Sequence, residues 1–234
     1  YTYSKMHIGL IPDGNRRYMA KRGINNLSKS YDMGIERFHE FLQWCIKKDV
    51  DEVTIYALSL ENIESRSDSE IETLVGVFNE HALEALNDPR IHESKVRINV
   101  CGNLDAIKGI DGGMMASKML ENLKNLVEST RGYGALKLNL AIGYGGRQEI
   151  LHAAKKISEN NEEYTEENFK KYLWVGGYPE IIIRTSESRL SNFLTWQSAY
   201  SEIYFVDKLW QEFSEEDLDG ILEDFNARER RFGR

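Results

Sequence analysis

The chain is short of proline, cysteine, long apolar runs and net positive charge, and each shortage removes a class of protein. Three prolines among 234 residues leave no proline-rich linker, and no repeat or low-complexity tract interrupts the sequence. Two cysteines, Cys45 and Cys101, both inside apolar patterns, build neither a disulfide framework nor a cysteine metal site. Such usage fits a reducing, intracellular setting. No stretch approaches the roughly 20 apolar residues of a membrane-spanning helix. Thirty Lys and Arg against 38 Asp and Glu give a formal net charge of −8. That excludes a general nucleic-acid surface, which needs a basic footprint. The five histidines (His7, His39, His81, His92 and His152) show no metal-ligand spacing, and no nucleophile elbow or Ser/His/Asp arrangement is legible. No signal peptide is visible, although a start at Tyr1 rather than Met leaves room for an upstream segment.

What is present is an ordinary globular balance, 41% apolar and 29% charged, in a length that suits one large domain. Short runs rich in β-branched and aromatic residues predict strands at 7–12, 52–59, 96–102, 136–144, 180–185 and 202–206. Several are almost continuously apolar, as parallel strands buried on both faces tend to be. Between them, apolar residues at 3–4 spacing predict helices over 34–49 and 69–86. Further helices are expected near 113–129, 147–159, 165–173 and 215–231, the last opening on Ser214 and three acids. Alternation of this kind predicts a single α/β domain over 1–234, a mostly parallel six-stranded sheet with helices on both faces. Ligands of such sheets sit beyond the carboxyl ends of the strands. The segments PDGN, SLEN, GYGGR and RTSESR all follow strands and are expected to converge there.

Bases cluster at 16–22, 184–189 and 228–234 in an otherwise acidic chain, which points to small anionic ligands. Asp13-Gly14-Asn15 ends the first strand. It reads either as a common turn or as a metal-and-phosphate site. In the second reading Asp13 is a hard oxygen ligand for Mg²⁺, Gly14 lets backbone N–H groups approach a phosphate, and Arg17 grips it bidentately. Arg184 and Arg189, with serines between and after them, form a credible diphosphate cradle. Glu202, set among Tyr200, Ile203, Tyr204 and Phe205, reads as a strand-start acid, a buried ion-pair member or a metal ligand. GYGGR is too loosely constrained to identify a phosphate loop. The residues alone predict a Mg²⁺-dependent enzyme acting on a phosphorylated substrate.

Taken together, HIGLIPDGNRRYMAKRG, TIYALSLENIESR, LNLAIGYGGRQEI, IIIRTSESRLSNFLTWQSAYSEIYFVDKLWQEF and NARERRFG resemble the cis-prenyltransferases, the undecaprenyl diphosphate synthase family. Order and spacing match from about residue 7 to 233. The resemblance implies condensation of an allylic prenyl diphosphate with isopentenyl diphosphate to form a Z double bond. It implies that Asp13 and Asn62 are catalytic, Asp13 by supporting ionisation and Asn62 near the proton-abstraction region. Gly14, Asn15 and Arg17 would surround the allylic diphosphate, with Tyr31, Ser59 and Arg66 also binding substrate. Arg184, Arg189 and Ser191 would hold isopentenyl diphosphate, and Glu202 would complete the Mg²⁺ site with Asp13. Arg231 and Gly233 would reach a partner's site in a homodimer. Leu58, Val75, Phe78 and Ala82 would line a hydrophobic tunnel for the lipid tail. A cytoplasmic enzyme, peripheral to the membrane and without nucleic-acid partners, is implied.

Several positions depart from the family pattern. Tyr31 stands where the family has a histidine, Ile63 replaces a tryptophan, and Gly143 replaces an asparagine. RTSESR is one residue short and lacks the usual glycine. Arg16, Lys21 and Arg22 read as helix-surface residues. These departures leave open transfer to a different acceptor, such as the alcohol glycerol, and a non-catalytic subunit of a heteromeric complex.

Overall fold

Period-two burial decides how the strands stack. Ile8, Leu10, Val53, Ile55, Ile181 and Ile183 share one face of the sheet, while Ile11, Ala141 and Ile182 share the other, and all are buried. In the computed structural model, which describes residues 6–228, all six predicted strands form. They are β1 (His7–Ile11), β2 (Glu52–Ser59), β3 (Val96–Cys101), β4 (Leu136–Tyr144), β5 (Ile181–Thr185) and β6 (Glu202–Val206). Their order is β3-β4-β2-β1-β5-β6, and every pairing is parallel. The helices are α1 (Asn15–Arg22), α2 (Leu27–Lys47), α3 (Leu60–Ser65), α4 (Asp68–Ala85), α5 (Pro89–Glu93), α6 (Met114–Thr130), α7 (Gly146–Glu159), α8 (Glu166–Tyr172) and α9 (Glu215–Ala227).

Helix α2 starts seven residues before the predicted 34, because the Asn26 side chain caps it by accepting from the Lys29 N–H. Two short helices escaped the periodicity. Ser59 caps α3 directly off β2, and Asp88 with Pro89 starts α5. On one sheet face α2 and α9 bury Phe38, Phe41, Leu218 and Phe225 against the strands. Beside them α4 and α6 pack through Leu74, Val75, Met119 and Leu123. The other face is covered by the 174–197 segment, through Val175, Phe193 and Leu194.

Two features bring this architecture to the end of β1. Phe41, Trp210 and Phe213 form an aromatic cluster with centroids 5.9–6.1 Å apart. Trp210 also donates its indole N–H to the Gly34 carbonyl at 2.8 Å and its backbone N–H to the Asp13 carbonyl at 3.0 Å. At Gly34 a Cβ would stand 2.6 Å from Asn15 Oδ1, so a larger residue there would displace the Asn15 side chain.

Candidate active site

The four post-strand segments do converge. Asp13, Ser59, Asn62, Arg147, Arg184 and Ser191 line one cavity of about 960 Å³ at the carboxyl ends of β1, β2, β4 and β5. Asp13 is held there by its backbone: its N–H donates to Thr185 Oγ1 at 2.9 Å, and Thr185 Oγ1 donates to its carbonyl at 2.8 Å. The carboxylate accepts from the Gly14 N–H at 2.7 Å and from Arg184 Nη2 at 2.8 Å. Gly14 has φ +110°, and a Cβ there would lie 2.9 Å from Leu209 and 3.0 Å from Ser186 Oγ. Glycine is therefore required at this turn. The N–H groups of the first turn of α1 have no intrahelical acceptors, the general condition of a helix start, and they face an anion favourably.

Arginines dominate the cavity mouth, and carboxylates hold most of them. Arg184, with its side chain only 4% exposed, pairs with Asp13 and donates to Ser191 Oγ at 2.6 Å and to the Arg189 carbonyl. Its buried Nε has no hydrogen-bond partner. Glu187 bridges Arg17 at 3.0 Å and Arg189 at 2.8 Å. Glu70 lies 3.4 Å from Arg66 and 3.5 Å from Arg16. Arg147 also lines the mouth and, among the described residues, has no carboxylate partner. Glu61 accepts from Asn192 Nδ2 at 2.6 Å. Tyr56 donates to the Ser191 and Tyr144 carbonyls at 3.3 and 3.2 Å, and burial pushes its hydroxyl pKa above the ordinary range.

Behind the mouth the cavity has a mainly apolar lining, with His39, Gln43, His81 and Arg90 among it. It passes between α2 and α4 along Phe38, Leu42, Leu74, Phe78 and Ala82, and reaches Leu123 and Leu138. Two of the four predicted lining residues do not touch it: Leu58 and Val75 are packed into the surrounding core at 1% and 0% exposure. Their side chains face inward to neighbouring helices, a distinction that apolar periodicity does not carry.

The undecaprenyl diphosphate synthase prenyltransferase family model matches residues 11–233, nearly the whole chain. The chain belongs to the undecaprenyl diphosphate synthase family. A relative from Thermoplasma volcanium is 40% identical over 97% of this chain and 88% of its own length. It is named a tritrans,polycis-undecaprenyl-diphosphate synthase specific for geranylgeranyl diphosphate. An isoprenyl transferase from Thermus thermophilus is 38% identical over 97% and 88%. The crystal structure of lavandulyl diphosphate synthase from Lavandula x intermedia, in complex with dimethylallyl diphosphate, superposes with a TM-score of 0.85 at 25% identity, over 97% of this chain and 98% of that one. The chain is thus an enzyme of cis-prenyl transfer.

Within this undecaprenyl diphosphate synthase fold, Gly14, Asn15, Arg17, Tyr31, Ser59, Asn62, Arg66, Arg184, Arg189 and Ser191 all line the same cavity as Asp13. Glu202 does not. It pairs in register with Ile181, and Ile181 with Ile8, so it sits at the opposite end of the sheet from Asp13. At about 3.3 Å per residue along a parallel strand, the two acids are separated by more than about 15 Å in the strand direction alone and cannot share one ion within the chain. Glu202 instead pairs with Arg228 at 3.2 Å and lies 3.3 Å from the Tyr204 hydroxyl, which donates to Asp224 at 2.8 Å. Arg231 and Gly233 lie outside the described residues. Arg16 is exposed on the helix surface as expected and also lines the mouth, while Lys21 pairs with Glu212 and Arg22 stacks over Tyr18. Glu70, Glu187, Arg147 and Asn192 went unread in the sequence. Of these Arg147, within GYGGR, and Glu187, within RTSESR, carried a signal that could have found them, since both segments follow a strand. No helix among the described residues is long and apolar enough to cross a membrane.

Proposed function

We propose that this enzyme condenses an allylic prenyl diphosphate with isopentenyl diphosphate to a Z-polyprenyl diphosphate, with Mg²⁺. One observation carries the reading: a mouth of arginines around a half-exposed carboxylate opens directly into a cavity lined mainly by apolar side chains. The donor set suits the ion. Mg²⁺ is commonly held by one or two carboxylates together with substrate phosphates, and each Asp13 oxygen has a lone pair beyond its one protein donor. Asp13 would hold it, and the ion would supply positive charge to the leaving diphosphate.

The chain's own groups do the rest. Gly14, Asn15 and Arg17 receive the allylic diphosphate at the start of α1, with Ser59 and Asn62 across the mouth. As the allylic C–O bond breaks, its electron pair leaves with the diphosphate, where fixed guanidinium groups stabilise the charge. Arg184, Arg189 and Ser191 hold isopentenyl diphosphate while its double bond forms the new C–C bond and the proton then lost passes to an oxygen of the departing diphosphate. The product tail enters between α2 and α4, each buried CH₂ contributing about 0.8 kcal/mol without any polar contact. Edge strand β6 exposes Ile203 and Phe205, an apolar edge that a second copy would cover in a homodimer. Contact with a membrane surface suits release of such a product.

A second reading keeps the allylic donor but uses an alcohol acceptor such as glycerol. It is favoured by the short RTSESR loop, whose Glu187 carboxylate meets Arg189 at 2.8 Å, although the same carboxylate also meets Arg17 at 3.0 Å. Incubation with Mg²⁺, labelled isopentenyl diphosphate and allylic diphosphates of several lengths, with and without glycerol, decides between them. Diphosphates lengthened by five-carbon steps without glycerol support condensation, whereas a glycerol-linked main product replaces it with the second reading.

A further inference from the structure

Tyr31 is a buried phenol at a junction of three elements. Its ring lies in the apolar cluster of α2, α4 and α6, 6% exposed, and its hydroxyl reaches the cavity mouth. That hydroxyl accepts from Arg66 Nη1 at 2.9 Å and donates to Glu70 Oε1 at 3.2 Å. Glu70 also stands 3.5 Å from Arg16 through its other oxygen. Arg16, Tyr31 and Arg66 line the cavity, while Glu70 stands behind them with its side chain 13% exposed.

We infer that Tyr31 is a positioning residue for Arg66: its hydroxyl forms a triangle with Arg66 Nη1 and Glu70 Oε1, engages both, and holds the guanidinium back from a full fork on Glu70 so that Arg66 receives the allylic diphosphate. The inference rests on the reading above. An arginine beside a largely buried carboxylate tends to close into a bidentate fork, which consumes the donors a phosphate needs. Here the fork is open. Arg66 Nη1 makes a single 3.4 Å approach to Glu70 Oε1, and the hydroxyl takes up both the nearer Arg66 donor and a Glu70 lone pair. Only a neutral group that accepts and donates at once can fill that place, and a hydroxyl does so. The charged groups around it are Arg16 from α1, Arg66 from the α3–α4 junction and Glu70 from α4. Burial raises the Tyr31 hydroxyl above its ordinary pKa, so it keeps its proton throughout the neutral range.

Calorimetric binding of inorganic pyrophosphate, with KM for each substrate, tests this on the full chain. Tyr31→Phe lets Arg66 close on Glu70, so pyrophosphate binding should weaken about tenfold, the scale of one charge-assisted hydrogen bond. KM for the allylic diphosphate should rise similarly, and that for isopentenyl diphosphate much less. Adding Glu70→Gln to Tyr31→Phe removes the carboxylate that captures Arg66 and should restore binding. A merely structural defect would not be rescued this way. Unchanged binding in Tyr31→Phe, or a double variant as weak as the single one, overturns the inference. Wild-type protein that binds no pyrophosphate overturns the diphosphate reading itself, and this inference with it.

Discussion

Ser186 holds a backbone conformation that suits glycine better than serine. Its φ is +73°, and Ser191, Asn192 and Leu194 follow at +47°, +63° and +45°. The left-handed region costs an L-residue roughly 1–2 kcal/mol, so the loop that carries Arg189 and Ser191 stores strain beside the site. The Ser186 hydroxyl is also buried without a partner. Ser186→Gly should therefore stabilise the fold by about 1 kcal/mol in denaturant titration. A loss of stability would show that the serine makes a favourable contact. At this scale the sequence was informative only where one residue does one job. Asp13 and Gly14 announce themselves by sitting together at a strand end. Glu70 and Glu187 each meet a nearby arginine, Arg66 and Arg189, but also one from another element, Arg16 across 54 residues and Arg17 across 170, and no local pattern encodes the distant meetings.

The elements were more legible, for a physical reason. Strands buried on both faces must be apolar along their length, so IIIRT and LKLNLAIGY stand out with near-correct bounds. Helices α3 and α5 have six and five residues, too few for a period of 3.6 to show. The apolar stripe of α4 was readable, yet it does not say which stripe residue faces the core and which the cavity. Ala82 and Phe78 face the cavity, and Val75 faces the core. Ala82→Leu should accordingly fill the channel and shorten the product by at least one five-carbon unit, costing about 1–3 kcal/mol as an overpacked site. Product length by mass spectrometry checks this, and an unchanged distribution would place the lipid tail elsewhere.

Across the whole molecule the two ends of the sheet divide the work. The carboxyl end carries the arginine mouth. The amino end carries a buried polar network in which His7 Nε2 lies 2.8 Å from Thr54 Oγ1, Asn139 donates to Thr54 and Glu52, and Lys137 pairs with Glu52 at 2.9 Å. Burial lowers the His7 pKa to about 4. The unfolded chain binds a proton at His7 below about 6.5, but the folded chain does not until about 4, so stability is full above the first value and declines toward the second. The decline should amount to about 3 kcal/mol between those limits. Glu149, whose pKa burial raises, works in the opposite direction. The His7 share is isolated by comparing wild type with His7→Gln in denaturant melts from pH 7 to pH 4. The variant's profile should be flatter, and parallel profiles would remove His7 from this role.

Cis-prenyl condensation at the Asp13 mouth is tested most directly by the product itself. Purified protein supplied with Mg²⁺, an allylic diphosphate and ¹³C-labelled isopentenyl diphosphate should yield a chain whose new double bonds are Z by NMR, and Asp13→Asn should abolish its formation while remaining folded. E double bonds, or undiminished product from Asp13→Asn, would contradict the account.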